Sequence, residues 1–327
     1  MGDVALAEGF WRPRTALVTG AAGLLGGWLA RHLLASGACV VGFDIDWAGS
    51  AILSLDEPVV RVDGDVRRRE DVDRVLREQR PEVVFHLAAQ TQVGVANDDP
   101  VGTFEHNILG TWNVLEACRR ASFVASVVVA SSDKAYGDRG GLAYVESDPL
   151  AARHPYAASK TCADVLAQTY AESYGAPVAV SRCGNMYGGG DLEWERIVPG
   201  TIRSLLRSER PVVRSDGRYV RDYLYVEDAA EGTARLAQAV AERPELIGEP
   251  FNFAAETRLS VLELVDRIRT LMHIELEPEI LNGAVNEIRE QRVDAGKARD
   301  ELGWTPRHSL DAGLEKSIEW YRQYLSA

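Results

Sequence analysis

The stretch SSDKAYG, residues 131–137, places an acid and a base side by side directly after the apolar run SVVVA. These residues are Asp133 and Lys134, and Ser132 adds a hydroxyl just before them. A charged pair at the end of a buried strand is either an incidental ion pair at a solvated strand end or a group for acid–base chemistry on a bound substrate. The surroundings of the pair must decide between the two.

A second reactive group follows in HPYAASK, where Tyr156 and Lys160 are four residues apart. Four residues make about one helical turn, so both side chains share a face of the predicted helix near 156–174. A lysine ammonium beside a phenol favours phenolate, which predicts a lowered pKa for Tyr156 and a base for a substrate hydroxyl near neutral pH. The alternative is an exposed tyrosine with a solvated lysine. Ser132, if close by, would share the same proton.

A glycine-rich segment, TGAAGLLGG, indicates a phosphate site near the start of the chain. Gly20, Gly23 and Gly26 follow the apolar strand TALVTG and precede a helical pattern. Glycine lets the backbone turn tightly and approach a pyrophosphate, and the helix N-terminus favours its negative charge. Leu24 and Leu25 complete this predicted cofactor loop.

Asp44 ends the next predicted strand, ACVVGFD, at the position where a carboxylate can bind both ribose hydroxyls of a dinucleotide. The same carboxylate would repel the 2′-phosphate of NADP, and no arginine follows immediately, so NAD is the predicted cofactor. A plain strand-end turn residue is the alternative for Asp44, and Asp46 competes for the role.

Strand and helix patterns alternate from residue 14 onward, and the strands are mostly apolar. This predicts an α/β fold, a Rossmann-type doubly wound parallel sheet with a smaller C-terminal substrate-binding lobe. We predict an NAD-binding domain over 14–186, with 219–255 returning to it, and a mainly substrate-binding lobe over 187–327. GNMYGGGDLEWERIVPG is predicted to be a loop, and the final segment from DAGK to RQYL a turn region between short helices.

The net charge, the cysteines and the lack of long apolar runs limit the kinds of partner and cellular setting that suit this chain. The formal net charge of −13 argues against nucleic acid and anionic membranes, which both demand a basic face. The four cysteines are scattered and no spacing suggests a metal site, so a reducing, cytoplasmic setting fits best. The N-terminus lacks a signal-peptide apolar segment, and no apolar run approaches membrane-spanning length.

Taken together, these motifs resemble the extended short-chain dehydrogenase/reductase family. Further segments that carry the resemblance are VDGDV, HLAAQ, HNILGTWNVLEA, GNMYG, RDYLYVEDAAEG and KARDELGW. The resemblance implies tightly held NAD(P) and a nucleotide-diphosphate sugar as substrate. It places Asp65 and Val66 at the adenine, and Leu87, Ala88 and Ala89 along the cofactor cleft. The implied substrate contacts are Asn185, Val198, Arg214, Arg221 and Arg292, although each arginine could equally be a surface residue or, for Arg221, a partner of Asp222.

Within this family the Asp-Lys pair after the catalytic serine resembles CDP-glucose 4,6-dehydratases, whereas dTDP-glucose 4,6-dehydratases look like Asp-Glu and 4-epimerases carry small or uncharged residues. The implied reaction oxidises C4 of the sugar, removes water across C5 and C6, and returns hydride to C6. Tyr156 would serve the 4-hydroxyl, Lys134 in its neutral form C5, and Asp133 the leaving hydroxyl, with the last two roles exchangeable.

Two other functions stay open at this point: a nucleotide-sugar 4-epimerase, and a non-catalytic NAD-binding sensor or scaffold. The intact set of Ser132, Tyr156 and Lys160 speaks against the latter. By the same resemblance, the helices near 100–120 and 156–174 would form a four-helix bundle in a homodimer.

Overall fold

The computed structural model of the protein describes residues 9–54, 56–283 and 288–326. The prediction that the N-terminus carries no signal segment falls mainly on residues 1–8, which lie outside this part of the chain. None of the described helices is long and apolar enough to cross a membrane.

The first part of the chain alternates strands with helices. Its elements are β1 (Thr15–Thr19), α1 (Leu24–Ala35), β2 (Cys39–Asp44), β3 (Val59–Asp63), α2 (Arg69–Gln79), β4 (Val83–His86), α3 (Val93–Asp98), α4 (Pro100–Phe104), a π-helical turn (Glu105–Leu109), α5 (Gly110–Arg120), β5 (Ser126–Ala130), a 3₁₀ turn (Asp133–Tyr136), α6 (Pro155–Tyr174) and β6 (Val178–Cys183).

In the described residues after β6, the chain forms short strands, one 3₁₀ turn and five α-helices. Its elements are β7 (Asn185–Tyr187), α7 (Ile197–Leu206), β8 (Val212–Val213), β9 (Val220–Arg221), β10 (Tyr223–Tyr225), α8 (Val226–Glu242), a 3₁₀ turn (Pro244–Leu246), β11 (Pro250–Phe253), β12 (Leu259–Ser260), α9 (Val261–Met272), β13 (Glu279–Ile280), α10 (Gly296–Leu302) and α11 (Leu310–Ser326).

A parallel sheet of seven strands, in the order β11-β6-β5-β4-β1-β2-β3, forms the centre of the molecule. Its central strands are apolar on both faces because helices cover both: α1 packs on α8 on one side, and α2 and α6 pack on α5 on the other. Two apolar cores, one on each face, result. This architecture confirms the predicted Rossmann-type fold.

The edge strand β11, at residues 250–253, pairs with β6. A layer of α7, α9 and α11 lies beyond the sheet, with α9 packed against both of the others. The division into a domain over 14–186 and a lobe over 187–327 stays a prediction.

Three local predictions need correction, and one strand lies where the sequence patterns indicate none. No strand was predicted at β3, which is an edge strand with an exposed Val60 and a charged Arg61 and therefore lacks an apolar run. The helix predicted near 100–120 is interrupted by the π-helical turn. The predicted loop in GNMYGGGDLEWERIVPG contains β7 and the start of α7, whose apolar face packs on α9. The last helix, α11, is 17 residues long rather than short.

Candidate active site

The carboxyl ends of β1, β4, β5 and β6 meet at one edge of the sheet, and the segments that follow them carry most of the predicted site. The glycine loop follows β1, Leu87–Ala89 follow β4, Ser132 follows β5 and Asn185 follows β6. Ligands of doubly wound sheets bind at this edge. The fold therefore brings the predicted cofactor and catalytic residues to one place.

The glycine loop fits a dinucleotide pyrophosphate. Gly20 has φ +74°, and a Cβ there would lie only 2.7 Å from the Ala88 nitrogen. A Cβ at Gly26 would clash with the Gly20 carbonyl oxygen. Both positions therefore require glycine. No described side chain caps α1 at Gly23 and its first turn has no acidic residue, so its N-terminal N–H groups can face a phosphate. Leu25 is buried and Leu24 is half-buried beside it.

Asp44 lies at the end of β2, where its carboxylate accepts hydrogen bonds from the backbone N–H groups of Ala22 (2.9 Å) and Ile45 (2.8 Å). Burial raises the pKa of Asp44 and these N–H groups oppose the rise. The carboxylate thus touches the glycine loop itself. Its position next to Ala22 suits the role predicted for it at the ribose.

Asp65 and Val66 follow β3 and are both buried. The Asp65 carboxylate is paired with the Arg67 guanidinium, at 2.6 Å for the shortest contact. Burial acts to raise the pKa of Asp65, but the hydrogen bonds and charge of Arg67 outweigh it and hold the pKa below its usual value. Val66 packs against Gly110 at the start of α5. Their predicted contact with adenine stays a prediction.

A buried polar chain connects β1 and β4 to the helices. Thr19 Oγ1 lies 2.9 Å from His86 Nδ1, and His86 Nε2 lies 3.0 Å from Thr111 Oγ1. Thr19 Oγ1 also accepts the N–H groups of Leu87 and Ala88, both at 3.2 Å, which fixes this part of the predicted cleft lining. Burial lowers the pKa of His86 to about 3, so His86 is a neutral, packed strand-end residue.

Asn107, in the π-helical turn, is a buried residue that the sequence reasoning missed. Its amide donates to the Gln90 carbonyl oxygen (2.9 Å) and to Ser159 Oγ (2.8 Å), and Ser159 Oγ donates to the Tyr156 carbonyl oxygen (2.7 Å). The π-helical turn therefore fixes the start of α6, which carries Tyr156 and Lys160. An interruption of the helical pattern near residue 107 is the sequence feature from which Asn107 could have been identified.

Ser132 and Tyr156 come together as predicted, and their side chains are hydrogen bonded. Lys160 Nζ donates to the Ala130 carbonyl oxygen at 2.9 Å. Burial lowers the pKa of Lys160 to about 8 and raises the pKa of Tyr156 to about 12. The expectation of a lowered pKa for Tyr156 is thus wrong for the protein alone, because the loss of solvent outweighs the hydrogen bond that Tyr156 shares with Ser132.

Asp133 and Lys134 lie in the 3₁₀ turn with different partners. Asp133 is fully buried, whereas the Lys134 side chain is about one quarter exposed, and the two are 3.9 Å apart. Lys134 Nζ donates to Asn185 Oδ1 at 2.9 Å, and Asn185 Nδ2 in turn donates to the Asp222 carbonyl oxygen at 3.4 Å. A solvated strand end would leave both charges in water. The pair is instead part of a buried polar cluster.

The far end of the 3₁₀ turn is fixed by a buried ion pair. Arg182 on β6 makes two hydrogen bonds to Asp164 on α6 (2.8 and 3.0 Å) and one to the Tyr136 hydroxyl (2.8 Å). Tyr136 donates to Asn252 Oδ1 on β11 at 2.7 Å. A group whose rotamer is set by such contacts keeps its geometry, so Asp133 and Lys134 sit on a rigid turn.

Two buried residues of the cluster lie outside every predicted set. Asp222 follows β9, accepts the N–H of Ala255 at 3.0 Å, and has its pKa raised to about 7, chiefly by burial and further by the charge of Asp133. Gln291 donates from Nε2 to Asp133 Oδ2 at 3.1 Å. Asp222 adjoins a predicted site residue in sequence, but nothing in EQRVD distinguishes Gln291.

The other predicted substrate contacts are spread over the later part of the chain. Arg214 pairs with Glu195 at 2.8 Å, and Arg221 Nη1 donates to the Val220 carbonyl oxygen at 2.9 Å. Arg292 donates to the Gly141 carbonyl oxygen at 2.9 Å, while Val198 is buried within α7. Their contact with substrate stays a prediction. The described residues contain no group of three His, Cys, Asp or Glu side chains placed to hold a metal ion.

Comparison with known proteins identifies the family of this chain. Residues 16–254 match the model of the NAD dependent epimerase/dehydratase family. The chain is 30% identical to a CDP-glucose 4,6-dehydratase of Salmonella typhimurium, over 97% of this chain and 93% of that protein. It is 32% identical to a UDP-glucose 4-epimerase of Mycolicibacterium smegmatis, over 94% of this chain and 98% of that protein.

Among solved structures, dTDP-glucose 4,6-dehydratase from Bacillus anthracis in complex with NAD superposes with a TM-score of 0.84 at 26% identity, over 95% of this chain and 97% of that one. The chain therefore belongs to the NAD-dependent epimerase/dehydratase family, as the motifs indicated. The predictions of an enzyme and of NAD as its cofactor are confirmed.

Proposed function

We propose that this protein is a nucleotide-sugar 4,6-dehydratase with CDP-glucose as its preferred substrate. The observation that carries the proposal is the Asp133–Lys134 pair, which the fold holds in one cluster with Ser132 and Asn185. A 4-epimerase needs an acid–base group at C4 only. An additional acid and base beside the serine suit the removal of a proton and a hydroxyl from neighbouring carbons.

The roles follow from what each side chain can donate or accept. Tyr156, sharing a hydrogen bond with Ser132, takes the proton of the 4-hydroxyl, and Lys160 places a positive charge on the same helix face. Oxidation at C4 acidifies the C5 proton, which Lys134 removes. Asp133 protonates the departing 6-hydroxyl. Bound NAD supplies the hydride acceptor for C4 and later the donor for C6.

The preference for cytidine rests on the Asp-Lys sequence of the pair and on the CDP-glucose 4,6-dehydratase among the relatives. A UDP-glucose 4-epimerase is similar to this chain to a comparable degree, so 4-epimerisation is the second candidate. The two reactions differ in mass balance because dehydration loses one water and epimerisation loses none.

The test is turnover of CDP-, UDP-, dTDP- and GDP-glucose, with product mass measured in ordinary and heavy water. We expect CDP-glucose to be turned over fastest and its product to have lost one water. In heavy water, the product should carry one solvent deuteron at C5. A product of unchanged mass would refute dehydration and favour the epimerase. Faster turnover of another nucleotide would refute only the cytidine assignment.

The matching residue test is Lys134→Met, which keeps most of the side-chain volume and removes the amine. We expect reduced nicotinamide absorbance that persists and a fall in dehydrated product of about 10²- to 10⁴-fold, the usual contribution of a positioned acid–base group. Lys316→Met, at an exposed position of α11, is the matched control and should behave as wild type. A Lys134→Met variant that dehydrates at the wild-type rate would show that Asp133 and Lys134 are an incidental ion pair without a role in the reaction.

The proposal includes a homodimer formed through α5 and α6. Large apolar side chains are exposed on these helices and on the adjoining α4, namely Val101, Phe104, Trp112 and Val165. A surface cavity of about 330 Å³ lies between α5 and α6 and is lined in part by Trp112 and Leu166. Large apolar side chains exposed on neighbouring helices favour a protein–protein interface there.

A further inference from the structure

Gln291 is a fully buried side chain that reaches from the C-terminal segment into the catalytic cluster. Its Nε2 lies 3.1 Å from Asp133 Oδ2, across 158 positions of sequence. A carboxylate oxygen can only accept, so the amide nitrogen is the atom that faces it. A buried amide N–H on a buried carboxylate is a strong, directional bond.

The backbone on both sides of Gln291 is fixed. Its own N–H donates to the Val220 carbonyl oxygen at 3.0 Å, and the Val220 N–H donates to the Arg289 carbonyl oxygen at 2.9 Å. On the other side, the Tyr144 N–H donates to the Arg292 carbonyl oxygen at 2.8 Å. The amide of Gln291 is therefore presented to Asp133 from a rigid segment.

The two oxygens of Asp133 consequently differ. Oδ2 faces the Gln291 amide, while Oδ1 accepts from Ser132 Oγ at 3.1 Å and lies 3.9 Å from Lys134 Nζ. Ser132 is also hydrogen bonded to Tyr156. A continuous path of hydrogen bonds thus runs from the Tyr156 hydroxyl through Ser132 to Asp133 Oδ1, with Gln291 behind it.

We propose that Gln291 is a positioning residue that keeps Asp133 Oδ1, rather than Oδ2, as the oxygen that receives and gives the catalytic proton. The assignment rests on the proposed dehydration. After C4 has been oxidised, the proton that Tyr156 took from the 4-hydroxyl passes through Ser132 to Oδ1. The Oδ1–H bond breaks when the 6-hydroxyl leaves as water, so the 4-hydroxyl proton is the one that departs, and Lys134 returns to C5 a proton that has first exchanged with solvent.

The test compares Gln291→Met, Asp133→Asn and the double variant in single turnovers, with Gln323→Met on the exposed face of α11 as the control. We expect Gln291→Met to slow dehydration by about 10- to 100-fold, the effect of losing one hydrogen bond to a charged group. The first oxidation, seen as reduced nicotinamide, should keep its rate, and KM should be unchanged. The double variant should dehydrate no more slowly than Asp133→Asn.

Gln291→Leu also removes the amide donor to Asp133. It should slow dehydration in the same way if Gln291→Met does not fold. Additive losses in the double variant, or equal losses in oxidation and dehydration, would make Gln291 a structural residue and overturn the assignment alone. A wild-type enzyme that releases no water from any of the four nucleotide sugars would overturn the proposed function and this assignment with it.

Discussion

Asp222 should make the stability of this protein depend on pH in a direction opposite to that of most carboxylates. Its carboxyl is fully buried, accepts hydrogen bonds from the backbone N–H groups of Ala255 and Glu256, and lies close enough to Asp133 for that charge to raise its pKa further. Burial is the largest cause of the rise in its pKa from 3.8 to about 7. A folded-state pKa above the unfolded value means that the folded protein binds the proton more tightly.

The stability that this proton contributes is complete below about pH 4 and is lost as the pH rises through about 7. A difference of about 3 pKa units corresponds to about 4 kcal/mol of unfolding free energy at pH values above both pKa values. Asp222→Asn resembles the protonated acid, and its Oδ1 can still accept from Ala255. The variant should match wild type near pH 4 and exceed it in unfolding free energy by up to about 4 kcal/mol at pH 8 and above.

The measurement is urea unfolding at a series of pH values with NAD at a fixed saturating concentration, since bound ligand adds to apparent stability. Asp300→Asn, an exposed carboxyl on α10, is the matched control and should show no difference that grows with pH. Asp222→Asn combined with Asp133→Asn should gain less than the sum of the two, because the charges repel each other. A difference between Asp222→Asn and wild type that is constant from pH 4 to pH 8 would refute the reasoning.

Three further predictions concern the reaction, the cofactor and the assembly. Tyr156→Phe should reduce turnover by about 10²- to 10⁴-fold while cofactor content and folding survive, since only one hydroxyl is removed; a near wild-type rate would refute its role. The dinucleotide released by denaturation should have the mass of NAD or NADH, because the Asp44 carboxylate lies against the glycine loop and would repel a 2′-phosphate; mainly NADP would contradict this. Trp112→Glu should convert a dimer into a monomer in light scattering, whereas Tyr324→Glu on α11, also an exposed aromatic, should leave the mass unchanged; a dimer that persists in Trp112→Glu would place the interface elsewhere.

Local sequence was sufficient where the relevant contacts are local. The glycine loop after β1 requires glycine at positions that all lie within seven residues of sequence, so its pattern is visible in the sequence. The structure shows the close backbone approaches at Gly20 and Gly26 that require glycine there. Tyr156 and Lys160 share a helix face by spacing alone. The apolar strands likewise indicated a buried parallel sheet, because a strand covered on both faces has no polar side to alternate with.

Tertiary structure decided what depends on packing between distant segments. The edge strand β3 escaped prediction because the charged Arg61 and Asp63 interrupt its apolar run, and β11 joins the sheet beside β6 from a part of the chain far beyond it. The pKa of Tyr156 rises because neighbouring segments bury the phenol. Burial raises this pKa more than the hydrogen bond with Ser132 lowers it, and no sequence motif indicates the extent of burial. Gln291 reaches Asp133 only because Val220 and Tyr144 fix the backbone around it, and a hydrogen bond spanning 158 positions leaves no trace in the local sequence of either partner.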